Sequence, residues 1–115
     1  MWLSCENSAA LLRVEVAGEI DMSNAHLLVE LLESPAVAAV PLVTVDLSMV
    51  TFFGASGVDA LVRMRALLSE RGGGLTLRDP APIVRRVLEL TGTLALFGIP
   101  SAVRQGGVPT VPVAW

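Results

Sequence analysis

With 115 residues, the chain has room for one domain that buries roughly two-thirds of its unfolded surface; its 53% hydrophobic content is nowhere gathered into the run of about 18 apolar residues that spans a bilayer. Eight arginines and no lysine against eleven carboxylates give a net charge of −3, which disfavours a phosphate backbone as partner, and with no Tyr, three Phe and two Trp near the ends the chain lacks a stacking platform for bases. The single Cys5 excludes an intrachain disulfide or a multi-cysteine metal site, and Glu6 and Asn7 stand where the apolar run of a signal peptide would be, so the expected compartment is the cytoplasm.

Trp2 to Cys5 reads as a short edge strand, with Cys5 a small buried or half-buried residue in it and a turn at Asn7-Ser8. From Leu11 to Ala17, Leu12, Val14 and Val16 alternate inward against Arg13 and Glu15, the period of a half-buried strand, which Gly18 ends. Asp21 or Ser23 can cap a first helix over about Ser23 to Glu33, carrying the stripe Leu27, Leu28, Leu31 and Leu32 up to Pro35. Leu42 to Leu47 has only Thr44 and Asp46 as polar interruptions, the pattern of an interior strand covered on both faces. The stretch from Val45 to Gly57 then reads as a buried strand, a tight turn and a helix start.

A second helix follows over Ser56 to Ser69. Placing residues at about 100° intervals puts Gly57, Ala60, Leu61, Met64, Leu67 and Leu68 on one arc and Asp59, Arg63, Ala66 and Glu70 opposite. Val58 and Val62 flank the polar arc, predicting exposed apolar surface beside Ser56. Gly72-Gly73-Gly74 ends the helix, and Leu75 to Arg78 alternates as a strand. Asp79-Pro80 places an acid at the N-cap and proline at the first position of a third helix, with Ile83, Val84, Val87, Leu88 and Leu90 as its apolar face and Gly92 as its end. Thr93 to Phe97 can add another helical turn, and Ser101 to Arg104 a last short strand. Beyond Gly106, Pro109 and Pro112 forbid a regular helix and leave an extended tail of Val108, Val111, Val113 and Trp115. The alternation of strands and helices is an α/β pattern, with parallel neighbours joined by right-handed crossovers.

The chemistry concentrates at Gly54-Ala55-Ser56-Gly57, the strand-to-helix turn. It approaches a G-x-S-x-G nucleophile elbow but has Val58 where the last glycine belongs, and the sole histidine, His26, precedes the serine. A P-loop is excluded by the absence of lysine. Asp21, Asp46 and Asp59 lie far apart in sequence; capping and helix-face charge account for Asp21 and Asp59, whereas Asp46 inside an apolar strand has no such account. No catalytic residue, metal or cofactor is assigned. Two readings of Ser56 remain: a cap or first-turn residue satisfying orphan amides, or a regulatory hydroxyl whose phosphorylation would add about 1.5 to 2 negative charges at a helix N-terminus.

Val16-Ala17-Gly18-Glu19-Ile20-Asp21, Val45-Asp46-Leu47 with Val50-Thr51-Phe52, Gly72-Gly73-Gly74-Leu75, Pro82-Ile83-Val84-Arg85-Arg86-Val87-Leu88 and Thr91-Gly92 follow one another in an order and spacing that resembles the STAS domain of anti-sigma factor antagonists. These small regulators of transcription bind an anti-sigma factor and so free a sigma factor. The resemblance spans about Leu11 to Ile99. It implies a single STAS-like α/β domain over residues 1–105, with a mixed, mostly parallel sheet of four to five strands and three to four helices, followed by the Gly/Pro-broken tail at 106–115. The family usually finishes with a helix; this apolar tail could instead cover an exposed sheet face or join another subunit as a homodimer.

The family's site is D-S-S/T-G, whose first serine is phosphorylated by the partner kinase. The matching positions here are Gly54, Ala55, Ser56 and Gly57, so the acceptor position is Ala55, without a hydroxyl, and Ser56 is the remaining phosphorylation candidate. The resemblance therefore implies a non-enzymatic binding module for an anti-sigma factor or serine kinase-like protein, without nucleic-acid binding or membrane insertion. Its partner-binding residues would be Asp21, Gly54, Ala55, Ser56, Gly57, Val58, Asp59 and Val62, and it would lack the usual phospho-switch. The alternative is a structural STAS subunit of a transporter ATPase or a larger signalling complex.

Overall fold

Alternating valines and leucines build the sheet. The computed structural model describes residues 1–8, 10–35 and 37–99; the expected strand at 101–104 and the tail from 106 lie outside them. Four strands, β1 (Trp2–Ser8), β2 (Leu11–Ile20), β3 (Leu42–Phe53) and β4 (Gly74–Arg78), stand in the order β1-β2-β3-β4. The first pair is antiparallel and the other two are parallel. Helices α1 (His26–Glu33), α2 (Ala55–Glu70) and α3 (Pro82–Leu90) follow β2, β3 and β4 in turn, and a 3₁₀ turn spans Leu94–Phe97. This is the mixed, mostly parallel α/β sheet expected.

The core lies on one side of that sheet. Leu12, Val14 and Val16 of β2 and Val43, Val45, Leu47, Val50 and Phe53 of β3 meet Leu28, Leu32, Leu61, Met64, Leu68, Val84 and Leu88 from the helices, all buried. Each such side chain contributes about 1.5–3 kcal/mol by leaving water. The expectation that β3 is covered on both faces is corrected: Leu42, Ser48, Met49, Thr51 and Phe52 are exposed, and Thr44 and Asp46 are half-buried. Strands advancing in one direction with crossovers of one hand send both intervening helices to the same face, so nothing among the described elements covers the other.

Several boundaries move from their predicted places. β1 continues through Asn7 and Ser8, which pair with Leu12 and Leu11 instead of turning, and Cys5 is exposed. β2 runs through Gly18, whose φ of 88° accompanies shifts in register against β3. β3 extends to Phe53, past its predicted end at Leu47, and the chain turns only at Gly54. α1 begins at His26, three residues after Ser23, and Leu27 of its predicted stripe is exposed. α3 takes Pro82, not Pro80, at its first position, with Ala81 as N-cap. Asp79 is left in the preceding turn at φ 46°, and Leu90 is exposed.

The glycine run closes α2 in a specific way. Gly72 adopts φ 77°; its N–H donates to the Ser69 carbonyl at 3.0 Å and the Gly73 N–H to Leu68 at 2.8 Å, the paired bonds of a Schellman end. A Cβ on Gly73 would stand 1.7 Å from the Pro41 carbonyl oxygen, and the Gly74 N–H donates to that same oxygen at 2.9 Å. The contact locks the end of α2 to the start of β3. Because backbone opposes the added methyl, Gly73→Ala is expected to destabilise the fold by about 1–3 kcal/mol or more, read as a lower urea midpoint at unchanged slope.

Candidate functional site

The carboxyl ends of β2 and β3 lie side by side, joined by a hydrogen bond from the Gly54 N–H to the Ile20 carbonyl at 3.1 Å. Asp21 and the start of α2 are therefore neighbours, although 33 positions separate Asp21 from Gly54 in the chain. The loop after Ile20 is held by its own side chains. Asp21 Oδ1 accepts from the Ser23 N–H at 2.9 Å and hydroxyl at 2.5 Å; Asn24 Oδ1 accepts from the Asp21 N–H at 3.0 Å and Asn24 Nδ2 donates to the Glu19 carbonyl at 2.9 Å. Donors to the carboxylate, the Ser23 hydroxyl first, hold the Asp21 carboxyl below its usual pKa. Asp21 thus orders a turn ahead of α1, whose own N-cap is Ala25.

At α2 the N-cap is Gly54, in extended backbone at φ −102°, with no side-chain cap; its carbonyl accepts from the Gly57 N–H at 2.9 Å. Of the two places expected for Ser56, cap or first turn, the structure gives the first turn, since Ser56 is the second helical residue. Ala55 is exposed at the tip and Ser56 is half-buried. Gly57 lies against the Phe53 ring, where a Cβ would come within 2.5 Å of a ring carbon. Val58 is buried and Val62 half-buried against the core, so the exposed apolar surface predicted from these two valines is not formed by them. Asp59 is exposed and pairs with Arg63 at 3.0 Å, an i,i+4 contact worth about 0.3–0.5 kcal/mol.

Exposed apolar surface near this end comes instead from Met22, Met49 and Phe52, which are 87%, 67% and 48% exposed. Phe52 was legible in principle: adjacent residues of a strand point to opposite faces, so Phe52 and Phe53 cannot both enter one core. Between α1 and α2 runs a groove of about 400 Å³, floored by Ala25, Val29 and Ala60 and edged by His26, Glu30, Glu33, Ser56, Asp59 and Arg63. Serine and histidine both line it. The imidazole Nε2 stands 3.9 Å from Glu30, and no hydrogen bond links His26 to Ser56 among the described residues.

Asp46, unexplained in the sequence, lies on the uncovered face. Its carboxylate accepts from the Ser48 N–H at 2.9 Å and stands opposite Arg78 in the register; Ser48 first, and Arg78 to a lesser degree, lower its pKa. Partial burial raises the pKa of the exposed Cys5 thiol, the reverse of an activated nucleophile. Among the described residues no three His, Cys, Asp or Glu side chains are grouped to hold a metal, and no helix is long and apolar enough to cross a membrane.

Residues 5–97 match the family model described as Mlab, STAS domain. The crystal structure of an anti-sigma factor antagonist from Mycobacterium paratuberculosis is similar, at 30% identity and TM-score 0.70, over 88% of this chain and 86% of that one. A putative anti-sigma factor antagonist from Thermotoga maritima shares the fold at TM-score 0.75 and 20% identity, over 91% of each chain. So does the Bacillus cell fate determinant SpoIIAA in its phosphorylated form, at TM-score 0.66 and 17% identity, over 92% of this chain and 97% of that one. No curated protein matches the chain.

The depressed Asp21 pKa has a signed consequence. Its stabilisation is fully present above the ordinary carboxyl value of about 4 and is lost as pH falls through the lowered one. Asp21→Asn retains an acceptor oxygen for Ser23 without a titrating charge. It is expected to lower the thermal midpoint slightly at neutral pH and to flatten its decline between about pH 5 and about pH 2, measured by circular dichroism.

Proposed function

The chain belongs to the STAS-domain family, and on that footing we propose that it is a non-enzymatic regulatory binding module of the anti-sigma factor antagonist kind. It engages an anti-sigma factor or related serine kinase in the cytoplasm through the turn and helix at 54–62, and it does so without a serine phospho-switch. Its domain occupies residues 1–105, with 106–115 as a separate tail. The observation that carries this reading is Ala55: exposed at the tip of α2, at the position that the family resemblance assigns to the phosphoacceptor, it has no hydroxyl to modify.

Ser56 is a poor substitute. Its side chain edges the groove that also holds Glu30, Glu33 and Asp59, and Arg63 is already paired with Asp59. A phosphoryl group there gains about 0.3–1 kcal/mol from the helix N-terminus but adds about 1.5–2 negative charges to a groove whose lining holds three carboxylates and one guanidinium. The surface offered to a partner consists of Asp21, Ala55, Ser56 and Asp59, with Met22 and Phe52 as apolar contacts. Gly54 and Gly57 let the backbone come close, while Val58 and Val62 seat the helix.

The missing hydroxyl also suits a structural STAS subunit on a transporter ATPase or larger signalling complex, and one experiment separates the readings. Protein isolated with its native partner is expected to carry no phosphate by intact mass and to co-purify with an anti-sigma factor or serine kinase. Ser56→Ala is expected to leave that affinity unchanged, whereas Ala55→Asp, restoring charge at the acceptor position, is expected to weaken it about tenfold or more. Recovery of an ATPase subunit instead establishes the second reading, and phosphate on Ser56 with loss of binding in Ser56→Asp overturns the switchless one.

A further inference from the structure

The peptide unit between Ile20 and Asp21 is held on both sides. Its carbonyl accepts the Gly54 N–H at 3.1 Å, and its N–H donates to Asn24 Oδ1 at 3.0 Å. Asn24 Nδ2 donates to the Glu19 carbonyl at 2.9 Å, on the other side of Ile20. One side chain therefore grips the backbone before and after the residue to which the start of α2 is tied. Gly54 passes the constraint on, because its own carbonyl accepts the Gly57 and Val58 N–H groups at 2.9 and 3.3 Å, the first bonds of the helix. The loop also closes on itself, since the Asp21 carbonyl accepts the Asn24 and Ala25 N–H groups at 3.2 and 2.9 Å.

We propose that Asn24 is the positioning residue of the recognition surface: through the peptide between Ile20 and Asp21 it fixes the loop carrying Asp21 and Met22 and the first turn of α2 as one unit. The inference rests on the reading of that surface as the one a partner binds. Hydrogen bonds in series polarise one another, so removing the Asn24 end weakens the bond at Gly54 without altering Gly54. The place calls for a side chain that accepts at one atom and donates at the other. A carboxamide does both on one short stem, an ionised carboxylate only accepts, and a methyl group does neither.

The neighbouring side chains act more locally. The bonds from Ser23 to Asp21 Oδ1 stay within the tip of the loop and reach neither β2 nor α2. Gly54, the N-cap of α2, has no side chain to cap with. Asn24 therefore supplies from the end of β2 the order that the start of α2 does not supply itself, and its effect on recognition is indirect. It sets where Asp21, Met22 and Ala55 stand relative to one another.

Amide hydrogen exchange of the full chain, followed by NMR, tests the pin directly, with Val84→Ala in the buried face of α3 as a variant weakened elsewhere. In Asn24→Ala the Gly54 amide is expected to exchange about tenfold faster than in Val84→Ala; equal rates in the two variants overturn the proposal. A second measurement takes the affinity for the anti-sigma factor or kinase recovered with the wild-type chain, at a temperature where circular dichroism shows both variants folded. Asn24→Ala is expected to weaken it about tenfold and Val84→Ala to leave it unchanged. A loosened Gly54 amide with unchanged affinity, or equal losses in both variants, overturns the role in recognition. A wild-type chain that recovers no such partner overturns the reading of the surface and not the pin, which the exchange rates then uphold or overturn by themselves.

Discussion

The strand order β1-β2-β3-β4 never doubles back. In doubly wound sheets the order reverses, helices leave for opposite faces, and a crevice opens between them where ligands bind. Here both crossover helices leave for the same face, and no crevice forms at the ends of β2 and β3. There the Gly54 N–H ties the first turn of α2 to the end of β2. The same constraint strips one face of the sheet, and with it the need for β3 to be apolar throughout.

Much of this was legible in the residues. Of the helical arc Gly57, Ala60, Leu61, Met64, Leu67 and Leu68, all are buried as the spacing implies except Leu67, which is half-buried, and the alternation of Leu12, Val14 and Val16 gave the inward face of β2 correctly. The length of β3 was not legible, because Ser48-Met49 interrupts the alternation through a register shift against β2, and a bulged strand loses its period of two. Capping residues misled more than apolar ones. Ser23, Ser56 and Asp79-Pro80 are all good helix starts by local chemistry, yet α1, α2 and α3 begin after Ala25, Gly54 and Ala81. At each place tertiary contacts set the boundary: Ala25 enters the core, Gly54 bonds to Ile20, and Ala81 bonds to the Leu47 carbonyl that extends beyond β4.

The strand-to-helix turn of the candidate site was legible in the residues, and the surface around it less so. Spacing located the turn at Gly54, but Val58 faces inward and Met22 and Phe52 face outward. A helical wheel gives relative directions around one helix and cannot say where the neighbouring sheet and helix lie. Asp46 shows the same limit from the other side: a carboxylate in an apolar strand looks anomalous until the face it points to is known to be bare, where Ser48 and Arg78 account for it.

Helix α2 is held at both ends by glycines whose backbone touches something rigid, Gly57 on the Phe53 ring and Gly73 on the Pro41 carbonyl. Neither contact involves the residues presented outward, Ala55, Ser56 and Asp59. The parts that fix the helix and the parts it presents outward are thus separate in the chain and separately mutable. A side chain at position 55 can be exchanged without shifting the backbone that displays it, because neither point of anchorage passes through that residue.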